Sequence, residues 1–220
     1  MTPVELLGWM AALVGTVLGL PQLIRLARTR STAGLSLFGW QAILVLNLIW
    51  ALHGIKIGQP NMIVTNFGGL VTTSIVLVLF TRDLGRRLLP VVLPSLLAVV
   101  VLVAVDLGLG STAFGVASLV PAILANAGQI IEVVRSPSVT GVSPVFLGLG
   151  LLNQLLWLSW AVLLDEASSK ISSFLLVLMI AFNLTWYLLR RAGLRAFFAR
   201  PVETVEVAAE LTGEAELTGQ

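Results

Sequence analysis

Two tryptophans and two small polar residues recur at the same spacing in the two halves of the chain. Trp50 is followed by Asn66 in the first half, and Trp157 is followed at the same distance by Ser173 in the second. An indole offers a flat apolar face that stacks well on another flat or apolar surface. An amide or hydroxyl donates and accepts hydrogen bonds. The four residues therefore predict a cavity for a small neutral polyhydroxylated ligand, such as a sugar, between two indoles.

Two further amides are predicted to face the same cavity. Asn47 lies three residues before Trp50, and Gln154 lies three residues before Trp157, so each amide shares a helix face with its tryptophan. A buried amide in lipid is costly unless it is paired or lines a wet cavity. The alternative is that the tryptophans form interfacial belts and the amides join neighbouring helices. The duplication of the whole arrangement favours the cavity.

Composition places these residues inside a membrane. The chain is 57% hydrophobic and 11% charged, whereas soluble domains carry roughly 25% charged residues. Apolar runs near the length of a spanning helix recur throughout, which predicts an all-α membrane protein surrounded by lipid. No contiguous basic face remains for nucleic acid. The predicted transmembrane helices cover 4–24, 35–57, 60–80, 88–105, 113–134, 142–164 and 171–189.

Charge in the loops orients the seven helices. Eleven of the 13 basic residues fall after the first, third, fifth and seventh helices, and only Lys56 and Lys170 fall on the other side. Cytoplasmic loops of membrane proteins carry an excess of Lys and Arg. The pattern predicts an outside N-terminus and a cytoplasmic C-terminus, with the cell membrane as the location. The first helix is predicted to be retained, not cleaved as a signal peptide.

An internal repeat divides the chain. The offset that brings Gln22 onto Gln129 also brings Ser36 onto Ser143 and Trp50 onto Trp157, and we call it the repeat offset. Each repeat holds three helices, an odd number, so the two repeats can have the same orientation in the membrane only if one more spanning helix joins them. The prediction is therefore two parallel repeats and a linker helix (3+1+3). The predicted divisions are a first repeat at 1–84, a linker at 85–107, a second repeat at 108–192, and a disordered acidic cytoplasmic tail at 193–220 with five glutamates.

Residues near the basic ends of the first helix of each repeat are predicted to act as hinges. Pro21 removes a backbone hydrogen bond within an apolar helix, and the neighbouring Gln22 amide can satisfy a freed carbonyl. In the second repeat Gly128 stands in the place of that proline, beside Gln129, and the proline lies earlier at Pro121. A plain helix end is the alternative. We expect the first repeat to move more.

Ionisable side chains are scarce within the predicted spans. Asp106, Asp165 and Glu166 lie at outer helix ends, and His53 is interpreted as an interfacial side chain. No carboxylate lies in the middle of a span, so the sequence favours facilitated diffusion (uniport) over proton coupling. Enzyme motifs are missing, so no catalytic residues are assigned. With no cysteine and one histidine in the chain, neither a metal site nor a cofactor is predicted.

These motifs resemble a known family. Pro21-Gln22, the turn Arg28-Thr29-Arg30-Ser31-Thr32-Ala33-Gly34-Leu35-Ser36 and Asn47-Leu48-Ile49-Trp50 resemble the PQ-loop superfamily. The Trp50–Asn66 spacing is similar to that of SWEET and SemiSWEET sugar transporters. The resemblance implies two three-helix bundles, alternating access hinged near the prolines, and sugar bound by Trp50, Asn66 and Trp157.

The chain departs from that family pattern at several positions. Ser173 stands where the family places a second asparagine, and Gly128 stands where it places a second proline. The turn is equally similar to that of cystinosin-type amino-acid carriers, which typically use a proton-coupling aspartate. A non-transporting sorting or signalling receptor, built like the KDEL receptors, is a third alternative. The sequence leaves the oligomeric state open, a homo-oligomer included.

Overall fold

The computed structural model describes residues 1–32, 35–136, 138–139 and 142–197, without the side chains of 22 and 23. Within these residues the chain forms seven α-helices, each long and apolar enough to cross a membrane. The prediction of an all-α integral membrane protein with seven spans is confirmed. The predicted tail lies largely outside the described residues. The helices are α1 Pro3–Thr29, α2 Leu37–Lys56, α3 Pro60–Asp83, α4 Leu88–Gly108, α5 Gly110–Arg135, α6 Pro144–Leu164 and α7 Ala167–Arg191.

Matched serines precede α2 and α6, which occupy the same place in the two repeats. The Ser36 hydroxyl accepts a hydrogen bond from the Gly39 amide at 3.1 Å, and the Ser143 hydroxyl accepts one from the Phe146 amide at 3.2 Å. Both serines precede an apolar run, and each satisfies one amide that a helix start leaves without a partner. The repeat in the sequence therefore corresponds to a repeated helix-capping interaction.

Helices α1, α2 and α3 form one set, which we call the first triple, and α5, α6 and α7 form the second triple. The two triples have the same packing order. In the first triple, α3 packs between α1 and α2, and in the second triple, α7 packs between α5 and α6. The triples meet through α1 against α6 and α2 against α5, while α4 packs on α2, α3 and α5. This arrangement is the one expected of two copies of one unit. The residue boundaries of the two repeats remain a prediction.

The bundle has two different ends. We call the end where α1, α3, α5 and α7 finish the basic end, and the end where α2, α4 and α6 finish the His53 end. Apolar clusters that join the two triples lie from mid-bundle to the His53 end, around Phe114 and Trp160. Clusters around Phe80 and Tyr187, nearer the basic end, each stay within one triple. The described residues thus close the triples against each other at the His53 end.

At the basic end, each third helix is tied to the end of the first helix of its triple. The Thr32 amide and hydroxyl donate to Asp83 Oδ2 at 3.0 and 2.7 Å. In the second triple the Arg190 guanidinium donates to the carbonyls of Val133 at 3.1 Å and Ser136 at 2.8 Å. Asp83 and Arg190 are matched by the repeat offset. The first and third helices of each triple are therefore coupled at this end.

Replacing either capping serine by alanine is expected to lower the free energy of unfolding by about 1 kcal/mol. The two effects should add, because Ser36 and Ser143 cap helices of different triples. Thermal unfolding in detergent, followed by circular dichroism, measures both. Ser159, an exposed serine on α6, supplies the control, and a Ser159→Ala effect equal to that of the caps would contradict the capping role.

Candidate functional site

A cavity of about 150 Å³ lies between the two triples. Trp50 and Asn66 line it from the first triple, and Gln154, Trp157 and Ser173 line it from the second. Five of the six residues singled out from the sequence are thus brought together. The other lining residues are Leu46, Met62, Thr65, Ser169, Ser172 and Leu176.

Neighbouring rings hold both indoles in place. Trp50 meets Phe114 edge-on, with ring centroids 5.1 Å apart, and Trp157 meets Trp160 at 5.4 Å with the planes perpendicular. Edge-to-face geometry is favourable for aromatic rings at these separations. Both indoles are half-buried, so each is fixed by a neighbour and keeps part of its surface for a ligand.

Polar groups on α3 and α7 complete the lining. The Asn66 amide nitrogen donates to the Met62 carbonyl at 2.8 Å, which leaves its oxygen able to accept a hydrogen bond. Ser173, the residue matched to Asn66 by the repeat, is buried at the same cavity. One wall therefore offers an amide oxygen and the other a hydroxyl, which is a donor and an acceptor.

Asn47 lies outside the cavity lining. Its amide nitrogen donates to the Thr73 hydroxyl at 3.0 Å, which joins α2 to α3 within the first triple. The backbone of α3 approaches closely there, because a Cβ on Gly69 would overlap the Asn47 side chain. Its surroundings are those of an asparagine that joins helices.

Three hydroxyl residues of the cavity were missed by the sequence reasoning: Thr65, Ser169 and Ser172. The Ser169 hydroxyl is buried and has no hydrogen-bond partner among the described residues, so it is available to a ligand. Ser172 lies 2.6 Å from the Ser118 hydroxyl on α5. Thr65 and Ser172 are matched by the repeat offset, so a search along that alignment would have found this pair.

The predicted hinge residues lie inside continuous helices. Pro21 is exposed on α1, and Gly128 is exposed on α5. Pro121 is buried on α5, while Gln129 is half-buried one residue after Gly128. The side chain of Gln22 is outside the described residues. The hinge role of all five remains a prediction.

His53 is at the centre of a buried cluster that the sequence interpretation did not anticipate. Its side chain is 0% exposed, so its assignment as an interfacial residue is wrong. Nδ1 lies 2.7 Å from Asp106 Oδ2, and Nε2 lies 3.3 Å from Glu166 Oε1 and 2.9 Å from the Ser168 hydroxyl. The cluster links α2 of the first triple, the linker helix α4, and the α6–α7 connection of the second triple.

Both carboxylates of the cluster have additional partners. Lys56 reaches Asp106 Oδ1 at 2.7 Å. Burial would raise the pKa of Glu166, but hydrogen bonds from His53, Ser169 and Ser168 hold that pKa at about 2. Glu166 is therefore an anion at any physiological pH.

The same end contains contacts that need close helix approach. Gly8 on α1 faces Asn61 of α3 and Trp160 of α6, so that a Cβ there would overlap Asn61 Nδ2 and lie 2.7 Å from Trp160 Nε1. Further into the bundle, the Asn153 amide of α6 donates to the Ala11 carbonyl of α1 at 2.7 Å. The Gly8 contacts join the triples on the side of the cavity toward the His53 end, and the Asn153 contact joins them at about the level of Gln154.

Comparison with known proteins adds one finding. Residues 3–55 match the family described as the PQ loop repeat, a stretch that includes Pro21, Gln22 and Trp50. The search of curated proteins finds no match.

Proposed function

We propose that this chain, whose residues 3–55 match the PQ loop repeat, is a PQ-loop protein, of a family that includes membrane transporters and receptors, and that it transports a small neutral sugar. Transport is facilitated diffusion, in which the two triples expose the cavity alternately to the two sides of the membrane. The observation that carries the proposal is the cavity between the triples, with one tryptophan and one polar residue from each half. Substrate sites between parallel repeats are a known transporter arrangement.

The polarity of the lining supports a neutral polyhydroxylated solute. Amide and hydroxyl groups line the cavity together with two indoles, and none of the described lining residues is ionisable. An amino-acid zwitterion would bring two charges into the membrane interior, where unpaired charges are costly. The volume of about 150 Å³ is below the roughly 300 Å³ at which pockets for drug-sized ligands begin. A monosaccharide is therefore favoured over a disaccharide.

The closure of the bundle at the His53 end fits one stage of such a transport cycle. Contacts between the triples concentrate at the His53 end, and the positive-inside rule puts the basic end in the cytoplasm. The conformation is then closed to the outside, with the solute path toward the cytoplasm. We assign the protein to the cell membrane, with its N-terminus outside.

Counterflow in proteoliposomes tests this function. Vesicles loaded with unlabelled glucose, sucrose or alanine are given the labelled form of the same solute outside, with and without a pH gradient across the membrane. We expect accumulation of labelled glucose and little accumulation of sucrose or alanine. Asn66→Ala should lower glucose counterflow by about tenfold, because a site that hydrogen-bonds its solute binds it much more weakly when the protein's hydrogen-bonding group is removed. Asn126→Ala is the matched control, because Asn126 donates to a backbone carbonyl of its own helix at 2.8 Å as Asn66 does but lies outside the cavity lining.

The outcomes separate the alternatives. Alanine flux without glucose flux would replace the sugar by an amino acid as solute. Solute accumulation driven by the pH gradient would contradict uniport. Flux of none of the three solutes, from protein shown to be folded, would favour the receptor alternative.

A further inference from the structure

Four ionisable side chains meet at the His53 end, directly beside the cavity. His53, Lys56, Asp106 and Glu166 form the cluster, and the Trp50 indole that lines the cavity lies edge-on to the His53 ring, with centroids 5.7 Å apart. On the remaining side, the uncharged ring of Phe114 from α5 stacks on His53 at 4.7 Å. Any separation of the triples at this end must break the cluster, because Glu166 belongs to the second triple and His53 to the first.

The hydrogen-bond geometry favours a protonated ring. Both nitrogens of His53 face a carboxylate oxygen, but a neutral imidazole carries a hydrogen on only one of them. The Ser168 hydroxyl oxygen lies 2.9 Å from His53 Nε2 and 2.7 Å from Glu166 Oε1. If Nε2 carried no hydrogen, both of these atoms would compete for the single hydroxyl hydrogen of Ser168. An imidazolium donates from both nitrogens and leaves the Ser168 hydrogen to Glu166.

The charge of the cluster leads to the same protonation state. The cluster has two acidic members, Asp106 and Glu166, and Lys56, which is 33% exposed and pairs with Asp106, supplies one positive charge. The four side chains together are neutral only when His53 carries a proton. In a buried site a balanced set of charges is strongly preferred to one uncompensated charge.

We propose that His53, Asp106 and Glu166 form a proton-binding site that holds the His53 end of the bundle closed while the proton is bound. The proposal rests on the proposed function in one respect, namely that the triples separate at this end during the transport cycle. When they separate, His53 loses Glu166 and meets water, so it releases its proton to the same side of the membrane. The site therefore makes the outer gate sensitive to external pH and does not carry protons across.

The direction of the pH dependence follows from linkage. A proton that binds the closed form more tightly than the open form favours the closed form as pH falls. Closure is thus strongest under acidic conditions, and this stabilisation is lost as the pH outside rises above the range in which the buried histidine titrates. Internal pH should have no effect, because the basic end does not contain the cluster.

Thiol accessibility tests the proposal independently of transport. The chain has no cysteine, so Ala161→Cys, at a fully buried position between the triples near the His53 end, provides a single reporter. A charged methanethiosulfonate reagent is added outside sealed proteoliposomes. Thr112→Cys, at an exposed position at the start of α5, corrects for the pH dependence of the thiol reaction. We expect the corrected labelling rate to fall by about tenfold between about pH 8 and about pH 5.5, the range in which histidine titrates.

Substitutions in the cluster decide the outcome. His53→Gln keeps a donor and an acceptor but cannot titrate, so its labelling should not vary with external pH. Glu166→Gln is the second variant, which serves if His53→Gln does not fold, and it should also lose the response. Asp165→Asn is its matched control, because Asp165 adjoins Glu166 but is 90% exposed and paired with Lys170.

Each result has a separate meaning for the two proposals. A wild-type labelling rate that does not depend on pH, or a response retained in both His53→Gln and Glu166→Gln, would overturn the proton site even where glucose counterflow is observed. A pH response that disappears in these variants, with no counterflow for any solute, would uphold the site and reject the sugar-transport function.

Discussion

Replacing Trp50 or Trp157 by alanine is expected to reduce glucose counterflow by at least about tenfold, which corresponds to about 1.4 kcal/mol of lost binding free energy. Each indole is half-buried at the cavity and held by at least one neighbouring ring. Removing it takes away the stacking surface on one side of the solute and widens the cavity. Because both halves contribute one indole, the double variant should transport no faster than the protein-free vesicles.

Two further variants separate solute binding from packing. Trp50→Phe retains an aromatic ring against Phe114 and His53, so it should recover part of the flux if stacking on the solute matters. Trp9→Ala removes an indole that is 38% exposed and lies outside the cavity lining, and it should leave counterflow unchanged. Equal losses for Trp9→Ala and Trp50→Ala would show that the cavity indoles have no special role.

The positions of the helices could be predicted because the membrane imposes a simple rule. Each spanning helix needs about 20 apolar residues, and loops contain the charges, so the sequence predicts the ends of α2, α3 and α4 to within a few residues of Lys56, Asp83 and Gly108. The end of α1 is harder to predict, since this helix runs on through the basic residues Arg25 and Arg28 to Thr29. Nothing in a hydropathy pattern stops a helix from extending beyond the membrane.

Most of the cavity was predictable for a different reason. The internal repeat shows the same residue pattern in both halves of the sequence, so residues such as Trp50 and Trp157 could be selected because they occupy equivalent positions. Asn47 was selected by its helix face and by its match to Gln154, and the structure puts it between α2 and α3 instead. A shared helix face does not determine which neighbouring helix that face contacts, so the sequence could not distinguish the cavity from the α2–α3 contact for Asn47.

The buried cluster around His53 was not predictable by the same reasoning. His53, Asp106 and Glu166 each lie near or just beyond the end of an apolar run, where isolated charged residues usually meet water. The repeat gives no help, because the residues matched to His53 and to Glu166 by the offset are Trp160 and Gln59. A weak signal was present: the one histidine and two acidic residues all fall on the side of the bundle with few basic residues.

Gly8→Val is expected to hold the two triples apart at the His53 end and to reduce counterflow by at least about tenfold. A valine Cβ would overlap Asn61 Nδ2 and approach Trp160 Nε1 to 2.7 Å. Asn61 is 3% exposed and Trp160 is fully buried, so neither has free space into which to move. Overpacking of this kind typically costs about 1–3 kcal/mol, and a cost above about 1.4 kcal/mol shifts a balanced equilibrium toward the open form by tenfold or more.

The same helix offers a matched control for that substitution. Gly19 also lies on α1, and a Cβ there would meet nothing within 4 Å, so Gly19→Val reports the effect of losing a helical glycine without a clash. Labelling of Ala161→Cys should rise in the Gly8→Val background and stay unchanged in the Gly19→Val background. If Gly8→Val transports glucose at the rate of Gly19→Val with no rise in labelling, the close approach of α1 to α3 and α6 is not what closes this end. If labelling rises while transport falls, the result supports closure at the His53 end as a required step of the cycle, because Gly8 lies outside the cavity lining.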